Sequence, residues 1–434
     1  MIIVDRALGA RVAEGRPIRV ALVGAGALGR GLTHQFVHAA QGMELVAIVN
    51  RTPESAVRAW QLAGIEDPKP VGSPAELERA IGAGRPAVSD DPAVLTAGPI
   101  DAIVEATGTV EFGAGVALAA IDAGKHVFIN AELDGTIGPE LQARAASAGV
   151  IVSALDGDQP GTQLNLYRFA SGLGFEPLLC GNIKGLEDHY RTPETQRGFA
   201  SRWGLTAMMA TSFADGTKIS FEQTVVANAT GMGVARRGML GHAHDGLIDE
   251  MTGRFDPDEL RAMGGIVDYA LGAKPSPGVF VFAAHPDARQ RGYLEFWKMG
   301  PGPLYSFYAP YHLAHMEAPL SIARAVLFGD ATTTAHAPVV EVIALAKRDL
   351  CAGEILDGVG GYTVYGACEN RASARADDLL PMGLAEGGTL VRDVPRDTAI
   401  TFADVSLPAG RQADILWREQ NARFGAAAVA PKRT

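Results

Sequence analysis

Residues 18–29, IRVALVGAGALG, join a largely apolar run to glycines at positions 24, 26 and 29, and no other stretch restricts the fold of its surroundings as much. The run predicts a buried parallel strand over 18–23. Gly24 then makes a tight turn, Gly26 leaves the backbone open to close approach, and Gly29 lets the next helix lie against the strand. A helix opening at Ala27 and Leu28 presents N–H groups and the positive end of its dipole, which suits an anion. Glycine spacing alone decides little among 52 glycines in 434 residues. The order of elements decides more, because a helix-length segment (27–40) and a second strand (44–49) follow. Strand, glycines, helix and strand in this order predict a site for a dinucleotide pyrophosphate.

The end of the second strand bears on which dinucleotide. An acidic residue there usually bonds the ribose hydroxyls of NAD, whereas this chain has Asn50, Arg51 and Thr52. With no carboxylate to repel a 2′-phosphate and Arg51 available to pair with it, NADP (as NADPH) is favoured over NAD. Arg51 also reads as an ordinary solvated loop cation.

The strand–helix rhythm continues, with helices expected at 54–63, 74–81, 110–123 and 138–148. Strands are expected at 101–105, 126–129 and 150–153. Such alternation gives a doubly wound parallel sheet, which binds ligands at the carboxyl ends of its strands. Those ends carry Thr107 and Gly108, Asn130 and Glu132, and Asp156 with its neighbours to Pro160. Each is a candidate to line the nicotinamide pocket, and each is also what a turn would use.

From about residue 161 the rhythm breaks. Strands at 175–184, 279–285 and 293–298 and a helix at 217–229 suggest an α+β domain whose sheet pairs two subunits. From about 336 to 407, short β-prone pieces between Gly and Pro turns suggest a small all-β module. The expected fold is therefore α/β overall. It comprises a Rossmann domain (1–160), an α+β catalytic and dimerisation domain (161–335), a small β domain (336–410) and a tail (411–434), with 425–434 expected to be disordered.

Lys218 and Glu222 stand four apart on the expected helix and so share a face. A cation that holds a substrate oxygen and a carboxylate that moves a proton serve hydride transfer at a carbonyl; a surface ion pair is the other reading. Lys184 closes the apolar strand 175–183, either pointing into a cleft to receive an anion or protecting a strand edge. His242, His244 and Asp245 have a spacing open to a metal, but without a third strong ligand a solvated loop is favoured. The aromatic run 305–312 reads as core packing or a pocket wall. There is no GxSxG, Walker or HExxH motif, so nucleophilic hydrolysis and nucleotide triphosphate chemistry have no support.

Lys and Arg total 38 against 49 Asp and Glu, a net charge of −11. That balance argues against nucleic acid or an anionic membrane as partner. Cys180, Cys351 and Cys368 are too few and scattered for a disulfide framework, and no signal-peptide or membrane-length apolar run occurs, so a soluble protein of the reducing cytoplasm is expected.

The glycine loop, EATGT, INAELDGTIGP, SALDGDQPG, CGNIKG, DGTKISFEQTVVANATG, GPLYSFYAPYHL and AKRDLCAGEILDGVGGYTVYG together give the chain a family likeness. It resembles the homoserine-dehydrogenase-like oxidoreductases with a C-terminal SAF domain, a group that includes the deoxyxylulose-phosphate-reductoisomerase-like enzymes. The resemblance implies a homodimeric enzyme acting on a small molecule. For the reductoisomerase-like members it implies NADPH-dependent conversion of 1-deoxy-D-xylulose 5-phosphate to 2-C-methyl-D-erythritol 4-phosphate. Lys184 and Lys218 would then hold phosphate or enolate oxygens, and Glu222 would assist proton movement. Homoserine dehydrogenases carry a lysine soon after the strand matching 126–129, where this chain has Asn130, Ala131 and Glu132. The acidic metal cluster of the unrelated reductoisomerases is not found, and a divalent metal has no support. The alternatives are homoserine-dehydrogenase-like reduction of another small carbonyl compound, and a dinucleotide sensor without turnover.

Overall fold

The computed structural model describes residues 4–425. The chain forms two compact units. The first runs to Asp158 and regains the chain over Leu313–Thr332; the second is Gln159–His312 together with the chain from Thr333 onward.

In the first unit, strands β1 (Ile18–Val23), β2 (Met43–Val49), β3 (Lys69–Pro70), β4 (Ala87–Ser89), β5 (Ala102–Glu105), β6 (His126–Phe128) and β7 (Val152–Ser153) form one parallel sheet. Its order is β3-β4-β2-β1-β5-β6-β7, so the chain reverses direction across the sheet beside β1, where the glycine loop leaves. Ile18, Val20, Leu22, Ile48, Val104 and Phe128 are buried, as the apolar runs require of a sheet covered on both faces.

Helix Ala314–Phe328 belongs to this first unit and packs on helix Ala27–His38. Ala318, Ile322 and Ala323 join the sheet's core, and Arg324 pairs with Asp156 at 2.9 Å. Residues 313–332 complete the Rossmann core, and 336–410 pack within the second unit.

The second unit has a five-stranded sheet of β8 (Glu176–Lys184), β9 (His242–Ala243), β10 (Ile266–Leu271), β11 (Gly278–Ala284) and β12 (Leu304–Ala309), ordered β12-β11-β8-β10-β9. Helix Thr217–Thr230 is buried on nearly every side, between this sheet and the antiparallel hairpin β13 (Val340–Ala346) and β14 (Val364–Asn370). Its polar side chains have partners as burial demands: Ser220 donates to Gly366 O at 3.2 Å, and Asn228 Oδ1 accepts from the Val339 and Val340 amides at 2.7 and 3.1 Å. A two-stranded pair, β15 (Thr389–Leu390) with β16 (Val405–Ser406), completes the small C-terminal β elements.

Two local expectations are corrected. The strand expected at 293–298 is part of helix Ala288–Phe296 and the turn after it, started by the Asp287 side chain accepting the Arg289 and Gln290 amides at 2.7 and 3.3 Å. The stretch 411–434, read as a tail, contains helix Gln412–Phe424, held through buried Leu416 and a 2.6 Å bond from Arg371 to Asn421. Gly425 caps that helix, and the rest of the expected disordered tail, 426–434, lies outside the described residues. Among the described residues, no helix is long and apolar enough to cross a membrane.

Candidate active site

The first unit carries an anion site built from backbone. Gly24 holds φ +108°, and a Cβ there would press on Ala106 at 2.9 Å. At Gly29 a Cβ would run into the Gly24 carbonyl, so this glycine permits the helix to dock. Gly26 differs from both: it is the N-cap of helix Ala27–His38, and a Cβ there would meet nothing within 4 Å. No side chain caps that helix and its first turn has no acidic residue, which leaves the dipole's positive end at Ala27 and Leu28 for a phosphate. These residues fit a dinucleotide.

Asn50 ties the loop in place. Its Oδ1 accepts the Ala25 amide at 3.0 Å and its Nδ2 donates to Thr52 O at 2.8 Å, so the carboxamide is engaged by the protein itself. Arg51, next to it, is exposed. Nearby, at the ends of β2 and β4, a cavity of about 550 Å³ is lined by Glu54, Arg58, Ser89 and Asp90 among others.

At the ends of β5 and β6 the strand-end candidates gather around Glu105, a residue the sequence reading passed over. Its carboxylate accepts the Thr107 amide at 2.9 Å and bonds the Thr107 hydroxyl and Asn130 Nδ2. Asn130 in turn caps helix Ala131–Ala148, its Oδ1 accepting the Leu133 amide at 2.9 Å. Gly108 takes φ +75°, and Glu132 is buried. Burial pushes the Glu105 carboxyl up to about 7 against the lowering effect of its hydrogen bonds to Thr107 and Asn130, and nearby Glu132 adds to the rise. Asp156 has a structural partner: Arg324 Nη1 grips it at 2.9 and 3.1 Å, and its amide donates to Ser321.

In the second unit, Glu222 is 3% exposed and lies at the centre of an amide network. Asn182, inside β8, donates from Nδ2 to Glu222 Oε2 at 2.9 Å and also to Gln159 Oε1. Gln163 donates to Asn182 Oδ1 at 2.5 Å, and Gln223 donates to Gln163 at 3.2 Å. Gln159 Nε2 reaches the Nε2 of His312 at 3.2 Å. Gln159 and Gln163 start helix Gln159–Gly172 one turn apart, so both amides leave the same face.

Lys218 stands one turn before Glu222 and is half-buried. Lys184 is two residues beyond Asn182 on β8, hence on the same face of that strand, and is also half-buried. Its field and that of His189 oppose the upward push of burial on the Glu187 carboxyl.

The start of the central helix is fixed by a buried pair: Asp215 caps the Thr217 amide at 2.9 Å and binds Lys347 Nζ at 2.9 Å. Lys347 also donates to the carbonyls of Arg191 and Gly361 at 2.9 and 2.8 Å, so Lys218 and Glu222 project from a rigid turn.

His242 lies in β9, while His244 Nε2 contacts Leu247 O at 3.0 Å and Glu250 at 3.3 Å. Among the described residues no group of three or more His, Cys, Asp or Glu side chains could hold a metal ion. Sequence reasoning missed Glu105, Gln163 and Asn182, and reached Gln159 and His312 only as members of the runs 156–160 and 305–312. The available signals were the four-residue spacing of the two glutamines and a single asparagine inside an apolar strand.

Residues 18–154 match the GFO/IDH/MocA description, "Oxidoreductase family, NAD-binding Rossmann fold", and residues 157–318 match "Oxidoreductase DRL, catalytic domain". The chain is an NAD(P)-dependent oxidoreductase. A sensor without turnover is thereby set aside. Among solved structures, the chain matches a probable dehydrogenase from Thermotoga maritima, at 12% identity and TM-score 0.43 over 72% of this chain and 90% of that one. It is also similar to the WlbA dehydrogenase from Bordetella pertussis in complex with NADH and UDP-GlcNAcA, at 20% identity and TM-score 0.29 over 43% and 51% of the chains. The myo-inositol dehydrogenase from Lactobacillus casei, in complex with NAD(H) and myo-inositol, matches at 17% identity and TM-score 0.30 over 45% and 53%. No curated protein matches the sequence.

Proposed function

We propose that this oxidoreductase uses NADPH to reduce a small phosphorylated or acidic polyol precursor, with reductive isomerisation of 1-deoxy-D-xylulose 5-phosphate as the concrete candidate. The observation that carries the reading is buried Glu222 within the Asn182, Gln159 and Gln163 network, with Lys218 one turn away and Lys184 on the Asn182 face of β8. Amide donors and acceptors of this kind read the hydroxyls of a polyol. Lys184 and Lys218 hold phosphate or enolate oxygens, Glu222 takes and returns the proton of a substrate hydroxyl, and Gln159 orients the His312 imidazole. NADPH, when bound, supplies the hydride. Its pyrophosphate is held by the loop at Gly24, Gly26 and Gly29, and its 2′-phosphate by Arg51; the absence of a carboxylate at the end of β2 supports that choice. Thr107, Gly108, Asn130 and Glu132 border the nicotinamide.

The same reading makes the chain a cytoplasmic homodimer with a SAF-like module at 336–410. The test is a screen of NADPH oxidation against phosphorylated ketoses, sugar acids and aspartate semialdehyde. Turnover confined to phosphorylated or acidic carbonyl substrates supports the reading; turnover only with neutral substrates, or only with NADH, overturns it.

A further inference from the structure

Glu105 ends β5 opposite Val23, the residue before the glycine loop. The backbone that follows it touches that loop: a Cβ on Gly24 would meet the Ala106 carbonyl at 2.9 Å and the Thr107 amide at 3.1 Å. With the adenosine half of a dinucleotide on the Arg51 side of the loop, the nicotinamide half falls at the ends of β5 and β6, beside Glu105.

The carboxyl is 2% exposed, yet it is not sealed off. Its Oε1 accepts the Thr107 hydroxyl, that hydroxyl lies 3.0 Å from the Thr109 hydroxyl, and Thr109 is exposed. Thr109 is the N-cap residue of helix Val110–Asp122 but its side chain makes no capping bond, which leaves its hydroxyl to the row. A hydroxyl both donates and accepts, so each of the two can turn and hand a proton on. Carboxyl, Thr107, Thr109 and solvent thus form one continuous path.

The groups around Glu105 favour a change of charge near neutral pH. Asn130, at the end of β6, is neutral, and the loop from Gly24 to Gly29 brings no charged side chain. Helix Val110–Asp122 faces Glu105 with Gly113, whose Cβ would lie 3.2 Å from Oε2, while its Glu111 is exposed. Buried Glu132, in the first turn of helix Ala131–Ala148, is the like charge that acts on Glu105. Burial and that charge hold the carboxyl up at about 7.

We propose that Glu105 compensates the charge of the cofactor: neutral beside the reduced dinucleotide, ionised beside the oxidised one, its proton leaving through Thr107 and Thr109 to water. The role rests on the nicotinamide placement proposed above. Oxidation gives the ring one positive charge, and loss of one proton from Glu105 offsets it, so the pocket keeps the same total charge in both states. Away from water that pairing is several times stronger than at the surface.

The experiment is titration calorimetry with NADPH, NADP+, NADH and NAD+ from about pH 5.5 to 8.5, reading the ratio of oxidised to reduced affinity within each pair. The 2′-phosphate titrates in the same range, but in both members of its pair, so it cancels. In the wild type the oxidised form is expected to gain on the reduced form by about tenfold across that range, as when the ring's charge moves the carboxyl pKa by about one. The ratio is flat in Glu105→Gln. Thr107→Val removes a bond that lowers the carboxyl and moves the midpoint up in pH; Glu132→Gln removes the like charge and moves it down. These two shifts decide the matter even if Glu105→Gln does not fold. A wild-type ratio independent of pH, or a dependence that Glu105→Gln retains, overturns the proposal and leaves the cofactor reading standing. Binding confined to NADH and NAD+ overturns the choice of NADP, and the ratio on that pair still tests Glu105. A chain that binds none of the four overturns both.

Discussion

Asn182 donates from Nδ2 to Glu222 Oε2 at 2.9 Å, joining the middle strand of the second sheet to the buried helix that crosses it. A carboxylate this deep, bonded to a buried side-chain amide, has its position set before any substrate arrives. Glu222→Gln keeps the shape and removes the proton-accepting charge. The expected outcome is a fall in kcat of about a hundredfold or more with a thermal midpoint close to wild type, read by steady-state kinetics and calorimetry.

The glycines of the loop separate binding from folding. Gly26→Ala places a methyl in open space where the pyrophosphate is expected, so dinucleotide affinity falls by about tenfold or more while apoprotein stability is unchanged. Gly29→Ala drives a methyl into the Gly24 carbonyl and should instead cost roughly 1–3 kcal/mol of stability. Fluorescence titration with NADPH and chemical denaturation of both variants check the contrast.

Glu105 gives the first unit a pH dependence. Its carboxyl is raised in the folded state from 4.5 to about 7, so the neutral form is the one folding favours. Its contribution is fully present below about pH 4.5 and is lost as pH rises through 7, a change on the order of 3 kcal/mol. Glu105→Gln should flatten the stability profile between those values, measured by denaturant unfolding at several pH values.

Asp215 and Lys347 are both buried, and removing one partner strands the other charge. Asp215→Ala is expected to cost about 3–5 kcal/mol, whereas replacing both by apolar residues costs much less. Unfolding of the single and double variants distinguishes a supporting pair from a surface one.

Much of this was legible in the chain. Alternating apolar strands and helices mark the Rossmann sheet because its central strands are buried on both faces, and the loop glycines follow from local backbone geometry. Lys218 and Glu222 share a helix because four-residue spacing is local too. The network of Asn182, Gln159 and Gln163 was not legible, since their meeting depends on packing between elements distant in sequence. The run YLEFWK at 293–298 is rich in aromatics that favour strands, but the Asp287 cap makes a helix of it and leaves its aromatics exposed. Asp156 looked like a pocket residue, yet its partner Arg324 lies 168 residues further on.

The most direct measurement is NADPH oxidation with 1-deoxy-D-xylulose 5-phosphate as substrate, for wild type and Lys218→Ala side by side. The account predicts wild-type turnover and a loss on the order of a hundredfold in the variant, as expected when charge stabilisation of a substrate oxygen is removed. Variant turnover within about threefold of wild type would contradict the role given to the Lys218 and Glu222 face, and no wild-type turnover would remove this substrate from the account.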